Sequence, residues 1–238
     1  MEYTSNYAEK PVFSGKIGNH KTGNRGDSSW TIPQLWLAFA LLSVALAAIS
    51  YFFVLTDSVY VRGLAEKMTA ERIEELVEMR SQYWWGILIA PPVLVLLRAV
   101  YTALCIAVGV IILGQNIGYN QLLKIALFAE SVFLLEIALQ VFCGIFILTI
   151  RIPDDYANFA PLSALQFFDP AALKLWMKHP LRTLNLFEVA YMLVLAYFLT
   201  PLLKKRTYWQ TLGLVGASYG LGLLLWVVGL AFLLLQVS

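Results

Sequence analysis

The chain has 238 residues, of which 60% are hydrophobic and 13% charged, with mean hydropathy +0.71 and a formal net charge of +2. Soluble globular domains carry about half apolar and about a quarter charged residues, so the composition excludes an ordinary soluble domain and points to a multi-span membrane protein. The small net charge and the lack of an arginine or lysine stripe exclude a nucleic-acid binder.

Residues 1–29 are polar and rich in Gly, Asn, Ser and Lys. They lack the short apolar region of a signal peptide and read as a flexible tail. A first span is expected over 33–55, with Trp30 and Trp36 at the interface, where indole rings settle well. Residues 57–82 then read as an amphipathic connector. Thr69 stands at a helix start, Ile73, Leu76, Val77 and Met79 share one side, and Glu71, Glu74, Glu75 and Glu78 fill the rest.

Two long apolar runs follow, 87–114 and 122–150, joined by a short polar stretch. About 20 apolar residues cross a bilayer core as a helix, so the pair reads as a transmembrane hairpin around which the other spans pack. Pro91-Pro92 either starts the second span or kinks it. A second connector spans 151–184, with Asp169-Pro170 as its helix start, a short helix over 171–178 and a stop at His179-Pro180. His179 reads as a solvated helix-end residue and Asp154-Asp155 as a solvated loop. The fourth span is 186–203, closed by Lys204-Lys205-Arg206, and the fifth is 209–236. Gly216 and Gly220 give the fifth span the small-xxx-small spacing that lets helices approach closely, within the chain or between copies.

The fold class is therefore all-α: a polytopic helical bundle of five spans with two interfacial connectors. The basic cluster at 204–206 sets the orientation by the positive-inside rule. It places the N-terminal tail and the 115–121 joint in the cytoplasm and the C-terminus outward.

Apart from Lys124, two residues into the third span, four charges fall inside the spans: Arg98, Glu130, Glu136 and Glu188. Counted from the cytoplasmic ends at about 1.5 Å per residue, Arg98 lies roughly 24 Å deep, and Glu136 and Glu188 roughly 22 Å. These three share a level on three helices, and Glu130 lies nearer the cytoplasm. In one reading Arg98 pairs with a carboxylate and fixes helix register, because an unpaired charge in lipid is expensive. In the other, a carboxylate titrates in an ion or proton path. The chain has no HExxH, no GxSxG and no glycine-rich phosphate loop. No catalytic, cofactor or metal residues are assigned. Cys105 and Cys143 read as small buried hydrophobes.

Three stretches resemble the Yip family, five-span membrane proteins named for interaction with Ypt/Rab GTPases, and especially its bacterial members. They are the acidic connector Met68-Thr69-Ala70-Glu71-Arg72-Ile73-Glu74-Glu75-Leu76, the start of the third span from Ile117 to Ala129, and Leu184-Asn185-Leu186-Phe187-Glu188-Val189-Ala190-Tyr191 at the head of the fourth. At Leu186 many members carry proline. The resemblance implies an N-cytoplasmic five-helix bundle, in a bacterial inner membrane for the bacterial type. Such a protein acts without catalysis, as a scaffold or accessory subunit, through a membrane-protein partner or self-association. The alternative is a small ion- or proton-coupled transporter or channel using the intramembrane charges.

Overall fold

The computed structural model describes residues 30–65, 68–169 and 172–237, and every regular element among them is helical. An isolated bridge between Ser163 and Asn185 is the one strand-like contact in this set. The tail expected over 1–29 lies outside the described residues, as do Pro170 and Ala171.

Three helices are long and apolar enough to cross a membrane: Ile32–Val54, Trp84–Ile112 and Tyr208–Gln236. The first comprises α1 (Ile32–Ile49) and a π-helical turn, Ser50–Val54. The first connector is two helices, α2 (Asp57–Leu64) and α3 (Ala70–Gln82). Thr69 stands at the head of α3, although its hydroxyl makes no cap bond. Arg80 holds this connector in place. Its guanidinium pairs with Asp57, donates to the Leu55 carbonyl and lies 4.3 Å and 4.4 Å from the ring centres of Tyr51 and Tyr60. A single cation thereby satisfies a carbonyl left open at the end of the first span.

Pro91-Pro92 neither starts nor stops a helix, because α4 runs unbroken from Trp84 to Ile112. Each proline lacks an amide proton, so the carbonyls of Ile87 and Leu88 lose their helical donors. The Trp36 indole donates to the Pro92 carbonyl at 3.4 Å, fastening α1 to the same turn.

The expected third span is divided into α5 (Tyr119–Ala129) and α6 (Ser131–Phe146), with Glu130 between them. Ser131 returns its hydroxyl to the Phe128 carbonyl at 2.8 Å, a bond that competes with the helical ladder. The Leu134 amide still reaches the Glu130 carbonyl at 3.1 Å, so the interruption is one residue wide. The helix ends at Phe146, short of the expected 150.

In the second connector, α7 (Pro153–Asn158) is capped by Asp155, whose Oδ2 accepts the amides of Arg151 and Ile152 at 3.0 and 3.1 Å. The short helix expected over 171–178 instead forms as α8, Leu175–Thr183, with His179-Pro180 inside it. Starting later leaves Pro180 room to complete the last turn, where the Leu184 amide bonds its carbonyl at 3.0 Å. His179 is half-buried rather than solvated, and burial, then the Arg182 charge, hold its pKa below the usual imidazole value.

The fourth apolar helix, α9 (Leu186–Leu199), continues into a 3-10 turn and is shorter than the other three over Leu186–Leu202. The last is α10 (Tyr208–Val215), a π-helical turn at Gly216–Gly220, and α11 (Leu221–Val237). The core forms where α4, α5, α9 and the π turn meet. Ala99, Ala103, Ile106, Ala126, Leu127, Tyr191, Leu195 and Val215 are all fully buried there.

Within the described chain, the closest small-residue contacts lie at glycines other than Gly216 and Gly220. A Cβ on Gly216 or Gly220 would meet nothing within 4 Å, so neither glycine is required by a close neighbour within the described chain. Close approach happens one helix face away. A Cβ on Gly109 would lie 2.8 Å from Ser218 Cβ, and one on Gly222 would lie 2.6 Å from Cys105 Sγ. Spacing marks a smooth stripe, but only the rotation of the helix decides which stripe meets a neighbour. Gly109→Ala should therefore destabilise the protein by about 1–3 kcal/mol through overpacking, whereas Gly216→Ala should stay within about 0.5 kcal/mol of wild type. Unfolding midpoints in mixed SDS micelles compare the two. Equal losses would contradict this assignment of the α4 contact.

Candidate functional site: a buried cluster of charges and phenols

The four charges singled out in the expected spans do gather, but with different partners from those expected. Arg98 pairs with Glu130, not with Glu136 or Glu188. Its Nε donates to both carboxylate oxygens, at 3.1 and 2.9 Å, and Nη2 donates to Oε2 as well. The helix ends explain the difference in level. Arg98 lies 14 residues from the end of α4, about 21 Å, while Glu130 and Glu136 lie 11 and 17 residues from the start of α5, about 16 and 26 Å. Arg98 is therefore level with neither, and facing decides. Glu130 is fully buried beside Ala126, Leu127 and Ala129, on the side of α5 that forms the core with Ala99 and Ala103 of α4.

The pair is enclosed by hydroxyls and rings. The Tyr191 hydroxyl lies 3.2 Å from Glu130 Oε1 and 3.0 Å from Thr102 Oγ1. It has one proton, and the ionised carboxylate can only accept. Tyr191 thus donates to Glu130 and leaves Thr102 to donate to Tyr191. The Arg98 guanidinium sits 3.6 Å over the Phe133 ring, a cation–π contact. Phe133, Tyr191 and Tyr219 follow one another at centroid separations of 4.7 and 5.3 Å.

The other two carboxylates lie toward the connector end of α9. Glu188 is buried and accepts from the Tyr219 hydroxyl at 2.6 Å. Tyr219 belongs to the π turn Gly216–Gly220. Glu136 is half-buried and accepts from Asn185 Nδ2 at 3.1 Å. Asn185 also caps α9, its Oδ1 accepting the Glu188 amide at 2.5 Å. Arg98 is thus paired with one carboxylate of the three, and the other two are held by neutral donors.

The sequence pointed to the charges but not to Thr102 and Tyr219, and it marked Asn185 and Tyr191 only within the stretch at the head of the fourth span, not as partners of the charges. Asn185 carried a signal, a capping residue directly before an apolar run. Tyr191 carried another, three residues after Glu188 and so on the same helix face.

Comparison with family models, curated proteins and solved structures gives no match to this chain.

Removing one member of the pair leaves the other charge buried alone. Arg98→Met should cost about 3–5 kcal/mol, and the double variant Arg98→Met/Glu130→Leu should recover most of that loss. Unfolding in mixed micelles measures the cycle, and simple additivity of the two single losses would refute the pairing.

Proposed function

We propose that the protein is a five-span, non-enzymatic membrane scaffold or accessory subunit, of the type the Yip resemblance implies, in a bacterial inner membrane with its N-terminus cytoplasmic. The observation that carries this reading is the Arg98–Glu130 pair. The one arginine within the expected spans is engaged by two of its nitrogens and covered by Phe133, an arrangement that fixes helices rather than moves charge. The five-span count is supported by the continuity of α5 and α6 across Glu130, and by Leu186–Leu202, which at 17 residues is just long enough to span. The orientation rests on Lys204-Lys205-Arg206.

A scaffold of this kind should co-purify with a membrane-protein partner, or with itself, at fixed stoichiometry. The test is affinity isolation of the tagged full chain in mild detergent, followed by mass spectrometry and light scattering. A monodisperse single chain that retains no protein would overturn the reading.

The second reading, a proton-coupled transporter, is favoured by one specific observation: Glu188 is buried with a phenol, not a cation, as its donor. In proteoliposomes under a pH gradient, that reading requires proton flux that Glu188→Gln abolishes while the unfolding midpoint stays unchanged. Flux that survives Glu188→Gln, or no flux at all, removes it.

A further inference from the structure

At the end of α9 opposite the charge cluster, an open cleft of about 530 Å³ is lined by Tyr197, Phe198, Thr200, Pro201 and Tyr208. That volume lies in the range of small-ligand clefts. Its walls are the last turn of one apolar helix and the first residue of the next, so it sits at the edge of the apolar layer. Lys204-Lys205-Arg206 forms the turn between those walls. Pro201 lies three residues before the basic run and Tyr208 two after it, so the cations and two of the cleft's lining residues belong to one short stretch of chain.

Three features of the turn suit an anion. Lys204 and Lys205 are exposed, and none of the three cations is paired with a carboxylate among the described residues. Lys205 has φ +57°, a left-handed conformation that glycine would adopt without cost, so the turn keeps a lysine against the backbone preference. The turn also leads into the N-terminus of α10, the positive end of its dipole.

We propose that this cleft is a binding site for one anionic phospholipid, with the phosphate held by Lys204, Lys205 and Arg206 and an acyl chain lying along Tyr197, Phe198 and Pro201. The occupant follows from charge complementarity: unpaired cations stand beside an aromatic, apolar wall. A zwitterionic lipid would fill the wall but add no net attraction. The inference requires α9 and α10 to cross the membrane and does not depend on the partner or transport readings above.

The test is native mass spectrometry of the full chain in detergent, titrated with dioleoyl phosphatidylglycerol, dioleoyl phosphatidylcholine or glycerophosphoglycerol, the headgroup without chains. Phosphatidylglycerol should bind most tightly. Each neutralised charge should weaken it about fivefold, so Lys204→Gln/Lys205→Gln/Arg206→Gln should bring it close to phosphatidylcholine. Tyr197→Ala, at an exposed position, should weaken both lipids without unfolding the chain. Lys174→Gln/Lys178→Gln, at the other end of α9, should leave binding unchanged. Wild-type phosphatidylglycerol affinity in the triple variant, equal losses in the Lys174/Lys178 variant, or glycerophosphoglycerol binding as tightly as the whole lipid would each overturn the proposal.

Discussion

The bundle depends on one buried ion pair. Glu130 has no accessible side-chain surface, and the Arg98 side chain retains about a third of its own. Withdrawing a carboxylate from water into such a place is unfavourable, and the Coulomb attraction offsets the cost only when the geometry is close and the remaining lone pairs are satisfied. Both conditions are met here. Arg98 engages both oxygens, and Tyr191 supplies a further donor. The requirement reaches outward from the pair. α4 and α5 must lie close together, which the fully buried Ala99, Ala103, Ala126 and Ala129 permit. α9 must present Tyr191 at the same depth, and Thr102 on α4 must lie opposite it. The position of three helices is thus tied to the solvation of one side chain.

Arg80 shows the same logic outside the apolar layer. Its side chain is almost fully covered, yet its partner Asp57 is largely exposed. Its main service is to the backbone carbonyls where the first span ends, with two tyrosine rings as walls. In water such a cation on an amphipathic helix contributes little. Here it closes a helix end and fixes the angle at which the connector leaves the span. The first connector is in this way a fitted part of the bundle.

How much of this was legible in the sequence follows from what each signal measures. Hydropathy reports which segments prefer lipid, and it located the three long helices and the shorter fourth. The spacing of Ile73, Leu76 and the glutamates reported a helix face, and α3 formed where it pointed. Neither signal reports rotation between helices. Glu130 paired with Arg98 because it faces α4, and Gly109 and Gly222 met neighbours because of where the helices turned, while Gly216 and Gly220 did not. Nor does hydropathy register the hydroxyl of Ser131, which interrupts the third run, or the continuity of α4 through Pro91-Pro92. Proline chemistry predicts two lost bonds there, and tertiary packing accepts that loss.

The π turn at Gly216–Gly220 has a consequence for how the last helix tolerates insertions and deletions. A π turn bonds residue i to i+5 in place of i+4, so it holds one residue more than the helix on either side requires. That residue works as a phase shift of about 100° between α10 and α11. Deleting one residue from the turn would restore a uniform α-helix with every backbone bond intact and the same hydropathy. It would also rotate α11 relative to α10, carrying Gly222 away from Tyr101 and Cys105, or else moving Tyr219 away from Glu188. Two sets of contacts, one within the turn and one just after it, are thus kept in phase by a single inserted residue. Within this segment, chain length is constrained more tightly than side-chain identity.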